Sequence, residues 1–103
     1  MNTRALAGIA SFGAALLIIA SEAVAYTGQE FEQNSKISMQ HASAIALKAR
    51  PGKITDRELE KEKGGSGLRY SFDVSSQGVI YEVGIDAMTG KVLENNPEGK
   101  NPD

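Results

Sequence analysis

Two stretches of the chain alternate apolar and polar residues with a period of two, and this alternation constrains the fold more than any other feature. Leu68, Tyr70, Phe72 and Val74 alternate with Arg69, Ser71 and Asp73, and Val79, Tyr81, Val83 and Ile85 alternate with Ile80, Glu82, Gly84 and Asp86. Successive strand side chains point to opposite faces, so each stretch has one face to bury and one to leave in solvent. Ser75-Ser76-Gln77-Gly78 is turn material between them, and a second turn, Ala87-Met88-Thr89-Gly90, leads into a short last strand over 91–94. In that turn Asp86 is placed to cap the backbone amides, and Gly90 is expected at positive φ.

A sheet with one apolar face needs a cover, and residues 39–49, M-Q-H-A-S-A-I-A-L-K-A, supply it. They are rich in helix formers, and Ala42, Ile45 and Ala49 fall on one side. Ser38 is a helix N-cap, with Ile37 before it placed to pack on Ala42. Arg50-Pro51-Gly52 ends the helix, because the residue before a proline is pushed out of the helical region and Gly52 accepts a left-handed turn. The expected fold is α+β: one N-terminal helix packed on a four-stranded antiparallel β-meander.

Ahead of this domain, Arg4 precedes an apolar run over 5–20, followed by Ala23-Val24-Ala25. The run is shorter than a spanning helix needs, and its small-residue ending reads as a cleavable signal peptide, residues 1–25, with the cut between Ala25 and Tyr26. An uncleaved anchor is the alternative. Taking 25 residues from 103 leaves 78, and losing Arg4 and Glu22 leaves 10 basic against 12 acidic side chains. This near-neutral product is expected in the periplasm or outside the cell, with no nucleic-acid footprint and no stable membrane insertion. The absence of cysteine removes disulfides, thiolate metal sites and a cysteine nucleophile. Residues 26–36 read as a flexible linker in which Phe31 alone docks, 37–95 as the folded domain, and 96–103 as a disordered tail.

The segment Thr55–Lys63 is ambiguous. Thr55 and Glu58 fit a helical capping box, yet only Leu59 is apolar, so an edge strand is favoured slightly. As a strand it sets Ile54, Asp56, Glu58, Glu60 and Glu62 on one face and Thr55, Arg57, Leu59, Lys61 and Lys63 on the other. Gly64-Gly65-Ser66-Gly67 is then a flexible hairpin loop, without the spacing of a nucleophile elbow. Gly84–Lys91 fails as a phosphate loop, because five residues separate Gly84 from Gly90 and Val92 stands where a magnesium-binding hydroxyl belongs. His41, the one histidine, is expected at the exposed start of the helix, so no catalytic triad or histidine metal site is expected. No cofactor is expected.

The run Tyr81-x-Val83-x-Ile85-Asp86-Ala87-x-Thr89-Gly90-Lys91-Val92-Leu93 resembles the last hairpin of the PepSY domain, and the helix with its Pro51-Gly52-Lys53 exit resembles that family's opening helix. The resemblance covers about residues 36–95 and implies the helix-on-meander fold, with 55–63 as a strand. It implies a small exported, non-catalytic protein-binding module, with peptidase inhibition or modulation as a role. No peptidase domain accompanies it here, so action in trans is expected. His41 departs from the family, which often has a carboxylate there, and the first strand is unusually charged.

The partner is thus expected to be a protein or peptide of the cell envelope. The outer sheet face is the candidate surface: Arg69, Ser71 and Asp73 beside Ile80, Glu82 and Gly84. Pro51, Gly52, Asp86, Thr89, Gly90 and Lys91 are expected to be structural. The alternative is a cation-binding or envelope stress or sensor protein using the acidic strand 56–62, since alternate carboxylates share a face and hard cations take oxygen ligands.

Overall fold

The computed structural model describes residues 25–99. The expected signal segment 1–24 and the end of the tail, 100–103, lie outside the described residues. Helix α1 (Met39–Ala49) is followed by β1 (Lys53–Lys61), β2 (Leu68–Ser76), β3 (Val79–Asp86) and β4 (Val92–Pro97). The strands form one antiparallel sheet in the order β1-β2-β3-β4, a meander with α1 on one face.

Each element starts and stops for a local reason. The Ser38 hydroxyl accepts from the His41 N–H at 3.0 Å and caps α1. At the other end Arg50 is extended, and the Asn95 amide donates to the Ala49 carbonyl at 3.2 Å, so β4 satisfies an orphan acceptor of the helix. Met39, Ala42 and Ala46 form the buried stripe of α1, and its two alanines are small enough to bring the helix down on Tyr70, Phe72, Val74, Val83 and Ile85. Ile45 packs beside that stripe, whereas Ala49, expected in it, is only half-buried. Gln77 and Gly78, both at positive φ, make a two-residue hairpin turn.

The disputed segment is a strand, with a register shift between Ile54 and Asp56. Thr55 is the extra residue, and the shift puts Ile54 opposite Val74 on the core side. Unbroken alternation assigns Ile54 to the acidic face, so that expectation is corrected. The flexible-linker expectation over 26–36 is corrected as well. Gln29–Asn34 is a 3-10 helix, Tyr26 docks on the core as well as Phe31, and Thr27 bridges β1 at Glu58. Two half-buried aromatic rings packed against the core compensate the ordering of this short polar segment. The last strand also outruns the expected ordered region: β4 reaches Pro97, and the Glu98 N–H donates to the Ile80 carbonyl.

The two ends of the sheet nearest the helix start are tied together by Asp86, which is 2 % exposed. Its carboxylate accepts from the Ser66 N–H at 2.6 Å, the Ser66 hydroxyl at 2.9 Å, the Met88 N–H at 2.8 Å and the Thr89 N–H at 3.1 Å. Next to it, the Ala87 N–H donates to the Leu68 carbonyl, and the Ala87 carbonyl accepts from Lys36 and Ile37. Gly65 packs so close that a Cβ there would collide with the Asp86 carboxylate and Leu93. The loop at 64–67 is therefore a docked turn, which corrects its reading as a flexible connection.

Burial is the largest single influence on the Asp86 carboxyl and pushes it up, but the hydrogen bonds from Ser66, Met88 and Thr89 together outweigh it and hold it at about 2. A carboxyl lowered in the folded state adds stability above its unfolded value near ~3.9, and that stability is lost as pH falls toward the folded value. The contribution is about 2 kcal/mol at pH 7. Asp86→Asn is expected to destabilise by about 2–3 kcal/mol at pH 7 and to flatten the decline in stability between pH 4 and 2. Urea midpoints across that range check it, and identical acid limbs for the two proteins would contradict it. Gly90 has φ 80° and Gly65 φ 55°, so Gly90→Val and Gly65→Val are each expected to cost at least about 1 kcal/mol in the same melts.

Candidate functional site

The face of the sheet turned away from α1 collects the alternate residues of all four strands. The register places Asp56 beside Asp73, Glu58 beside Ser71 and Glu60 beside Arg69, and then Asp73 beside Glu82 and Glu82 beside Asn96. A groove of about 260 Å³ runs across it, lined by Asp56, Glu58, Glu60, Glu62, Asp73, Glu82, Glu94 and Glu98. Ser71 lies at its floor and donates its hydroxyl to Glu60 at 2.6 Å. The expected outer-face residues Ser71, Asp73 and Glu82 therefore do come together, half-buried. Half-buried Ile80 sits opposite Ser75, outside the groove lining.

Arg69 does not belong to the exposed surface. It is 7 % exposed, against the solvated strand position expected for it. Its guanidinium donates to Glu94 at 3.3 Å and to the Lys63 carbonyl at 3.1 Å, and lies 4.0 Å from Glu62. A Cβ on Gly84 would lie 3.1 Å from the same guanidinium. The missing side chain at Gly84 lets the arginine lie flat across β3, which is why it is buried. Its Nε is buried without a partner.

Arg69 is the one cation pulled into a field of carboxylates, and their crowding shows in protonation. The Glu62 carboxyl is raised above its ordinary value chiefly by a hydrogen bond with Glu60, with burial adding to the rise and Arg69 opposing it. A carboxyl raised in this way favours the fold at low pH and loses that contribution as pH rises through its folded value. Asp73, Glu82 and Glu98 converge as a trio, with a carboxylate oxygen from each within 4.8 Å of the others. Glu98 was not expected here, because it lies beyond the pattern of alternation. Within the acidic strand of the cation alternative, Asp56, Glu58 and Glu60 share the face as expected, but the three carboxylates within reach of one ion come from β2, β3 and the residue just after β4.

The remaining candidates are structural. Pro51 and Gly52 separate α1 from β1, but Gly52 is not left-handed as expected: a Cβ there would collide with the Ser75 carbonyl, so the glycine serves a close backbone approach. The Gly90 N–H closes the β3–β4 turn onto the Asp86 carbonyl at 2.8 Å. The Thr89 hydroxyl accepts from the Lys91 N–H at 3.2 Å. His41 is exposed on the first turn of α1, away from the acidic groove.

The sequence pattern of the family described as PepSY: Peptidase propeptide and YPEB domain matches residues 36–96. No curated protein and no solved structure matches the chain.

Because Arg69 is buried while Glu82 is half-buried at the groove, the two substitutions should separate. Arg69→Ala is expected to cost about 2 kcal/mol in a urea melt, from lost packing and lost bonds to Glu94 and Lys63. Glu82→Gln is expected within about 0.5 kcal/mol of the unsubstituted chain. Equal midpoints would contradict the buried role of Arg69.

Proposed function

Because the chain belongs to the PepSY family, a family of propeptide- and inhibitor-like modules, we propose that it is a small exported, non-catalytic binding protein that acts in trans on a protein of the cell envelope, with a peptidase as the favoured partner. Its contact surface is the outer sheet face. The observation that carries this reading is the groove lined by eight carboxylates, in which Arg69, the basic residue of that face, is buried and bonded to Glu94. Such a surface complements a basic segment of a partner, and oriented charge of one sign speeds association and excludes acidic competitors. The family match supports export, since PepSY domains are typically extracytoplasmic, and no described helix is long and apolar enough to cross a membrane.

The proximity of Asp73, Glu82 and Glu98 favours a second reading, in which the same groove holds a divalent cation through oxygen ligands. Partner and cation would then compete for one face.

One set of variants separates these readings. The full chain and Asp73→Asn/Glu82→Gln are used to capture envelope proteins, and each captured protein is purified and titrated against both. At least a tenfold loss of affinity in the double variant is expected, with a peptidase partner inhibited and the chain left uncleaved. Equal affinities, or turnover of the chain as a substrate, would overturn the outer-face reading. Calorimetry with calcium tests the second: heat that vanishes in the double variant supports it, and no heat removes it.

A further inference from the structure

A second depression, of about 680 Å³, lies between α1 and the beginning of β1. Met39, Ser43 and Leu47, one turn apart along α1, form one wall, and Ile54 and Arg57 of β1 form the other. In a regular strand, residues three apart face opposite sides of the sheet. The register shift between Ile54 and Asp56 takes up one step, so that Ile54 and Arg57 line the same depression. The bulge thereby sets an aliphatic side chain beside a half-buried guanidinium.

Its chemistry is opposite to that of the acidic face. Lys53 and Arg57 both line it, and neither forms an ion pair or side-chain hydrogen bond among the described residues. Glu32 is the one carboxylate in its lining, and it already accepts the Tyr26 hydroxyl at 2.7 Å. The first turn of α1 also reaches the lining, and adds the positive end of the helix dipole to the two cations. The side-chain amides of Gln29 and Gln40 stand there too, bonded to no described residue and able both to donate and to accept. The depression therefore joins an apolar wall, two uncommitted cations and two uncommitted amides.

We propose that this depression binds the free C-terminal end of a polypeptide whose last residue is apolar. The terminal carboxylate pairs with Arg57, whose planar fork suits it, and Lys53 adds charge at the rim. The last side chain packs on Leu47 and Ile54, and the preceding peptide groups bond to Gln29 and Gln40. A terminal residue carries its carboxylate and its side chain on one Cα, which matches the pairing that the bulge creates in the protein. An internal Asp or Glu spends its side chain on the charge and leaves the apolar wall uncovered. A hydrocarbon chain would desolvate the two amides without bonding them. The α1 wall from Met39 to Leu47 is about 12 Å long, room for three or four extended residues. Side chains hold this ligand, because the Thr27 bridge at Glu58 and the bulge interrupt the β1 edge. The site is separate from the acidic groove, where a carboxylate is repelled.

The test titrates the full chain with the tetrapeptide acetyl-Ser-Gly-Thr-Leu, read by the backbone amide resonances in NMR. Saturable shifts are expected at Gln40, Leu47 and Arg57, with those of Asp73 and Glu82 unmoved. A copy amidated at its C-terminus and a copy ending in serine alter the ligand and leave the protein intact, and each is expected to bind at least tenfold more weakly. Arg57→Gln is expected to weaken binding at least tenfold, and Lys53→Gln measurably. Asp73→Asn/Glu82→Gln is expected to leave it unchanged, which keeps this result distinct from the fate of the outer-face reading. Octanoate, a carboxylate on a hydrocarbon chain, is expected not to displace the peptide. Absence of shifts, shifts centred on Asp73 and Glu82, equal binding by the amidated or serine copy, displacement by octanoate, or indifference to both Arg57→Gln and Lys53→Gln would each overturn the proposal.

Discussion

One carboxylate holds together the parts of this domain that sequence neighbours cannot. Asp86 ends β3, and its two oxygens accept four hydrogen bonds, two from the β1–β2 loop and two from the β3–β4 turn. The next residue, Ala87, bonds through its N–H to Leu68 and through its carbonyl to the two residues that lead into α1. Sheet, both turns and helix thus meet over two consecutive positions. A neutral acceptor in that place would leave buried N–H groups weakly satisfied, and such losses together are a sizeable fraction of the net stability of a small domain. With no disulfide to constrain the unfolded chain, the charge on Asp86 takes over part of the cross-linking role.

The helix fixes which face of the sheet is left over for function. Small residues along α1 bring it close to the aromatic and branched side chains of β2 and β3, and the opposite face is then free to be polar. That face is loaded with acid, and the arginine within it is buried among its carboxylates. Placing one cation under a crowd of like charges lowers the mutual repulsion of Glu62 and Glu94, while the carboxylates farther along the groove keep their negative field. The cation thus stabilises the surface without cancelling it.

Most of the fold was legible from local chemistry. The period-two runs, Ser38 as cap, Pro51 as stop and Asp86 with Gly90 as turn each acted through neighbours a few residues away. What sequence reading missed depended on contacts across the fold. The bulge at Thr55 exists because Ile54 finds Val74 on the core side, and strict alternation carries no sign of it. Tyr26 fell in the polar linker because its docking site on the core is assembled by tertiary structure. Arg69 looked solvent-facing by parity, but the glycine in mid-strand at position 84 was the available signal, since such a residue marks a place where something approaches the backbone closely. The acidic groove was half visible: β1 announced its carboxylates, while Asp73, Glu82 and Glu98 joined them only through strand register and the extra length of β4.

These features give the molecule two surfaces of opposite character. One is the acidic groove over the outer sheet, and the other a depression between α1 and the start of β1 lined by Lys53 and Arg57. Asp86, whose carboxyl is held at about 2, is saturated by four donors and enclosed in a turn, so its altered acidity serves structure. Charge and shape are what these surfaces offer a partner. Their opposite signs allow the two ends of one partner, or two separate partners, to be told apart by charge before any close packing is made.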